Sequence, residues 1–384
     1  MKKFRFGLLP RVIVAIALGV AFGGVFPDWM VRVFLTFNGI FSQFLGFAVP
    51  LIIVGMVIPA IADIGRGAGR MLALTVALAY CSTIVAGITS YFTSALTFPS
   101  LIDSQVKLDA AAGASAIEPF FTMNIPPLMD VMTALVVAFV VGLGLAYTKG
   151  EVLRGAASEF EKIVTKSIEA VIIPLLPLYI FGIFLDMTAA GEVFRVLTVF
   201  MKIIGVIFLL HIAWLILLYA VSALITKRNP FKMLSTMLPA YFTALGTQSS
   251  AATIPVTLAQ TRKMGVSEQV SGFVIPLCAT IHMSGSMLKI VACAMALMMM
   301  QGMAINFTLF FGFICLLGIT MVAAAGVPGG AIMAALGVLA SVLGFTPEDQ
   351  ALMISLYIAM DSFGTACNVT GDGALAAIVD KIKG

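Results

Sequence analysis

The sequence predicts an all-α polytopic membrane protein: eight transmembrane helices plus two oppositely oriented re-entrant helical hairpins, arranged as inverted repeats. Three observations predict it. The chain has 384 residues, 61% of them hydrophobic and 10% charged, with a mean hydropathy of +1.11, and several apolar runs reach the roughly 20 residues needed to cross a bilayer. Basic residues recur in every second connection, as short loops retained on one side of a membrane do. Two apolar stretches near the C-terminus are interrupted at their centres by Gly, Ser, Thr and Pro. The formal charge of +4 is small and carries no nucleic-acid signature.

The first span is expected over about Gly7 to Val25, behind Lys2, Lys3 and Arg5. That start resembles a signal peptide, but no A-x-A-like cleavage site follows and further spans come after, so it reads as a helix. The second span covers about Val31 to Ile61 and contains Pro50 and Pro59; the third covers about Met71 to Phe98. A polar, acidic connection from Pro99 to Pro127 precedes the fourth span, about Leu128 to Tyr147. Thr148 to Ser158 reads as a loop, and the fifth span runs from about Phe160 to Ala189 with an amphipathic start. The sixth covers about Val196 to Thr226, ending at Lys227, Arg228 and Lys232; its His211 has no polar companions in sequence and is given no role. With the N-terminus inside, the basic loops fall on the cytoplasmic face and the acidic ones outside.

From Phe231 to Met264 the pattern changes. Both flanks are basic, and the centre reads AYFTALGTQSSAATIPVT, which fits a hairpin that enters and leaves by the same face. The seventh span, about Ser267 to Met300, is interrupted at His282 to Ser286. Thr308 to Gly344 is broken at Gly326-Val327-Pro328-Gly329-Gly330 and ends at the acidic Pro347-Glu348-Asp349, a second hairpin from the opposite face. Repeats of this kind place a binding site near the bilayer midplane. Unwound tips and half-helix N-termini offer free N–H groups to a carboxylate.

The eighth span, Leu352 to Ile382, carries Asp361, Thr365, Asn368 and Asp372 at i, i+4, i+7 and i+11. At about 100° per residue they form one narrow stripe. Carboxylates inside a span face a cavity, an ion or a satisfying neighbour. Lys289 in the seventh span requires a partner or loss of its proton. His282 reads equally as a packing group or a functional one. The five cysteines form no CxxC or His/Cys cluster and read as buried small hydrophobes. No nucleophile–base pair suggests an enzyme.

These residues carry a resemblance. QSSAATIPVT (248–257), IPLCATIHMSGS (275–286), AGVPGG (325–330) and DSFGTACNVTGD (361–372) occur in order. The chain is similar over essentially its full length to the dicarboxylate/amino acid:cation symporters, the family of glutamate transporters and their neutral amino acid relatives. The resemblance implies that Asp361 binds the solute's α-amino group. Thr365 and Asn368 then bind its polar groups, while Ser249, Ser250, Ser286, Lys289, Val327, Gly330 and Gly364 border it. It implies one sodium site from Asp372 with Cys278, His282 and Asn368, and another from Thr280 with the second hairpin. A third, helped by Tyr80 and Thr83, would need an Asp where this chain has Ser284, and that departure argues against it. No organic cofactor is implied.

The departures matter. Where acidic-solute members carry an arginine clamp, this chain has Gly364 and Gln248, and loss of a bidentate fork argues against aspartate or glutamate. The motif resembles the serine/threonine branch. The expected activity is therefore sodium-coupled symport of a small neutral L-amino acid by an elevator-type movement. The alternative is a proton-coupled or sodium-independent carrier of a carboxylate or acidic amino acid that uses Lys289 and His282. The resemblance further implies a homotrimer in the lipid bilayer of the cell's inner (plasma) membrane, both termini cytoplasmic. Residues 1–70 and 128–190 would form a scaffold, and 71–127, 191–230 and 231–384 the moving part.

Overall fold

The computed structural model describes residues 8–66, 69–102, 117–148, 150–191, 193–322 and 329–383. All of its extended elements are helical. The first four spans fall near their expected places: α1 (Leu8–Phe22), α2 (Asp28–Arg66), α3 (Gly69–Thr97) and α4 (Val131–Thr148). Pro50 and Pro59 lie inside α2 without ending it. Asp130 stands before α4, and its carboxylate accepts hydrogen bonds from the Thr133 N–H (2.9 Å) and from the Thr133 hydroxyl. Those two donors hold the Asp130 carboxyl below its usual value.

The expected loop Thr148 to Ser158 is a correction. From Glu151 onward it is helix α5 (Glu151–Ser167), with an acid in the first turn, where the helix dipole favours one. A π-helical turn over Ile168–Ile172 then leads into α6 (Ile173–Ala189). Pro174 explains the wide turn, since its ring cannot sit against the carbonyl four residues back. Next come α7 (Val193–Thr226), α8 (Pro230–Thr247) and α9 (Ser250–Lys263). The α8–α9 corner is made by Gln248 in the left-handed region (φ 54°) and by Ser249, whose side chain accepts the Ala252 N–H.

The seventh span is broken into α10 (Glu268–Ile281) and α11 (Ser284–Met300), as the His282 to Ser286 interruption suggested. After it come α12 (Phe307–Met321) and α13 (Gly330–Leu343); residues 323–328, including Val327, lie outside the described residues. The eighth span is not one helix. It is α14 (Pro347–Ala359) and α15 (Asp361–Lys383), bent by 63°. The stripe survives because all four of its residues belong to α15, and Asp361 opens that helix.

Among the described residues six helices are long and apolar enough to cross a membrane, or seven if the bent α14–α15 pair is counted as one. That is fewer than the eight expected; α1 is described over 15 residues, fewer than a span requires. Two packing groups are visible. α2 lies against α4, α5 and α6, with α1 on α6, while α15 is surrounded by α7, α8, α9, α10 and α11. In α11 only Met299 escapes full burial. The cysteine expectation holds for Cys278, Cys293 and Cys367 but not for Cys81, which is exposed, or Cys315, which is half-buried.

Candidate functional site

Two breaks in the chain create the site. α11 starts at Ser284 and α15 at Asp361, and the two helices pack together. One and a half turns into α11, Lys289 is fully buried. Its Nζ donates to Asp361 Oδ1 at 3.2 Å, reaches the Met360 carbonyl at 3.5 Å, and stands 3.6 Å from the centre of the Tyr357 ring. The other carboxylate oxygen of Asp361 accepts the Gly329 N–H at 2.9 Å, one residue before α13 begins. Gly364 makes room for the lysine: a Cβ there would collide with Lys289 Cε and Nζ. The space beside Gly364 on α15 is thus filled by an ammonium from α11.

A polar chain continues from this pair. The Asn368 amide donates to Ser286 Oγ (3.2 Å), and Ser286 Oγ is 3.0 Å from the Tyr357 hydroxyl. The Gly285 N–H donates to Asn368 Oδ1 at 2.7 Å, and His211 Nε2 donates to the Gly285 carbonyl at 2.9 Å. His211, given no role from the sequence, therefore braces the start of α11. From the α8–α9 corner, Gln248 Nε2 donates to Ser362 Oγ at 2.8 Å. Gln248, Ser286, Tyr357 and Asn368 border a cavity of about 30 Å³ that Asp361 and Thr365 also line. That volume holds a water or two.

Asp372, the fourth member of the stripe, is about 16 Å further along the axis by helix rise and meets different partners. Its Oδ1 lies 2.9 Å from His282 Nδ1, and His282 Nε2 lies 3.0 Å from Ser82 Oγ on α3. Asp372 Oδ2 is buried with no partner among the described residues. Gly371 admits the ring, since a Cβ there would stand 2.8 Å from His282 Cε1.

Set beside known proteins, this arrangement has a clear relation. The profile of the Sodium:dicarboxylate symporter family matches residues 8–382. The chain belongs to the sodium:dicarboxylate symporter family. It is 32% identical to excitatory amino acid transporter 1 of Rattus norvegicus over 250 residues, 63% of this chain and 45% of that protein. An excitatory amino acid transporter of Caenorhabditis elegans is 29% identical over 259 residues, 65% of this chain and 50% of the relative. Excitatory amino acid transporter 4 of Mus musculus is 35% identical over 165 residues, 42% of this chain and 28% of the relative. The matched part is half or less of the length of each of these relatives.

Within this symporter-family chain the residues singled out from sequence fall in several places. Ser250, Ser286, Asp361, Thr365 and Asn368 line the cavity. Gly330 opens α13, Ser249 caps α9, and Lys289 and Gly364 stand behind Asp361. His282 and Asp372 pair deeper in, with the Cys278 carbonyl already accepting the His282 N–H at 2.9 Å. Thr280 is exposed. The Tyr80 hydroxyl donates to the Cys315 carbonyl on α12 at 3.1 Å, and Thr83 donates to Ala79 in its own helix. The Ser284 hydroxyl is buried with no partner among the described residues.

Sequence reasoning missed Tyr357 and Ser82. Tyr357 stands four residues before Asp361, a spacing that could have flagged it. Ser82 has no such signal, since only the rotation of α3 decides that it faces His282.

Proposed function

We propose that the chain is a secondary carrier that moves a small neutral L-amino acid, such as serine, threonine or alanine, together with a cation. One observation carries this reading: among the described residues lining the cavity Asp361 is the one that is charged, and Lys289 already balances it. A site without net charge suits a zwitterion. The solute's ammonium goes to Asp361. Its carboxylate goes to the starts of α9 and α13, which border the cavity through Ser250 and Ala331, where unsatisfied N–H groups and the dipole favour an anion. A second carboxylate would find no guanidinium fork. The cavity is too small for any amino acid as it stands, so loading requires α13 to part from Asp361.

The same reading makes α3 and α7 to α15 the moving unit and α1, α2 and α4 to α6 the scaffold of a homotrimer. The two packing groups support this division. The membrane is the cell's inner membrane, with both termini cytoplasmic.

For the cation, Asp372 with nearby backbone oxygens is the sodium site of this proposal; hard oxygen donors suit a small cation. One observation favours a proton instead: the imidazole of His282 already sits against Asp372 Oδ1, where an ion would meet the carboxylate. Uptake into proteoliposomes under a sodium gradient, a pH gradient, or neither decides this. The expected result is sodium-driven uptake of serine or alanine, with glutamate excluded and the sodium response lost in Asp372→Asn. Uptake that follows the pH gradient and ignores sodium selects the proton. A preference for glutamate overturns the solute assignment.

A further inference from the structure

The Lys289–Asp361 pair raises a question that the solute site alone does not answer. In the proposed function Asp361 anchors the solute's ammonium, yet the chain's own Lys289 ammonium lies 3.2 Å from the same carboxylate. A carboxylate left alone in a buried site is costly, and a carrier that returned unloaded would have to move it through the membrane in that state. Three features suit a lysine placed to prevent this. Gly364 leaves the space its ammonium needs. Its Nζ takes only Oδ1, leaving Oδ2 for the Gly329 N–H at 2.9 Å. Two further partners already touch it, the Met360 carbonyl at 3.5 Å and the face of Tyr357 at 3.6 Å, and both remain when Asp361 is claimed by something else.

We propose that Lys289 is a tethered stand-in for the solute's ammonium: in the empty carrier it holds Asp361, keeps the start of α13 docked through Gly329, and lets the unloaded protein return across the membrane. When solute arrives, its ammonium takes over the carboxylate. Lys289 then shifts onto the Met360 carbonyl and the Tyr357 ring, which offers a cation–π contact. The inference rests on the proposed carrier activity and on an ammonium-bearing solute. Lys289 is a positioning residue here; it acts through Asp361.

Two measurements on full-length protein test this. In proteoliposomes, net uptake requires the empty carrier to return, whereas exchange of internal for external solute does not. The ratio of net uptake to exchange should fall at least about tenfold in Lys289→Met, a modest share of what an unpaired buried carboxylate costs. An unchanged ratio overturns the proposal, whether both rates fall together or neither does. The second measurement needs no solute. Hydrogen–deuterium exchange at the Gly329 amide of the empty protein should speed up in Lys289→Met, because Asp361 loses the cation that orients it; protection equal to wild type overturns the proposal. If the wild type exchanges no neutral amino acid, the solute reading has failed, and the amide measurement alone decides the role of Lys289. If Lys289→Met does not fold, Gly364→Ala displaces the lysine without removing it, and the same two readings apply.

Discussion

Asp361→Asn is expected to lose uptake and thermal stability together. The substitution keeps the side chain's size and removes its charge. Lys289 is then a buried ammonium without its counter-ion, and removing one partner of a buried pair costs about 3–5 kcal/mol. The amide also turns a donor toward either Lys289 or the Gly329 N–H, both of which need acceptors. A thermal unfolding scan of the purified protein should show a clearly lower midpoint. The double variant Asp361→Asn with Lys289→Met should regain most of the stability, since no unpaired charge remains, but none of the uptake, since the ammonium anchor is gone. A single variant that unfolds like wild type and still transports would show that the pair neither supports the fold nor binds solute.

Gly285→Ala is the second large effect, and it is steric. A Cβ at this position would lie 2.6 Å from the Gly364 carbonyl oxygen, 2.7 Å from Cys367 Cβ and 3.2 Å from Asn368 Oδ1. The first is backbone of α15 and cannot rotate away, so α11 and α15 must separate. Overpacking of this sort costs about 1–3 kcal/mol or more. Separation would also break the Gly285 N–H bond to Asn368. The expected outcome is a poor yield of folded protein, or a low unfolding midpoint with uptake lost. Gly312→Ala is the matched control: it also lies within a helix, but no atom stands within 4 Å of its added Cβ. A Gly285→Ala protein as stable as that control would mean the two helices do not approach as described.

Much of this was readable before the structure. Helical spacing alone put Asp361, Thr365, Asn368 and Asp372 on one face, and the structure keeps them on one helix. The Gly-Thr-Gln-Ser-Ser run at 246–250 announced a corner, and the corner falls at Gln248 and Ser249. The bend at Met360 was not readable, because no glycine or proline marks it. The helical start at Glu151 was missed because an amphipathic, charged segment lacks the apolar run by which a membrane span is recognised. The resemblance already set Asp372 apart from the solute residues and near His282, but not the side-chain contact of Asp372 with the imidazole or that of the imidazole with Ser82.

Local chemistry in the chain thus settled the apolar helices, the interruptions and the identity of the polar residues that cannot be hidden in lipid. Tertiary structure alone decided which of them meet. Lys289 and Asp361 are 72 positions apart, and His282 and Asp372 are 90; no periodicity links residues on different helices. Their pairing depends on how α11 is rotated against α15 and on two glycines, Gly364 and Gly371, that leave room for the side chains facing them. Burial enforces the first match, because the Lys289 ammonium and the Asp361 carboxylate are tolerable inside the protein only against each other.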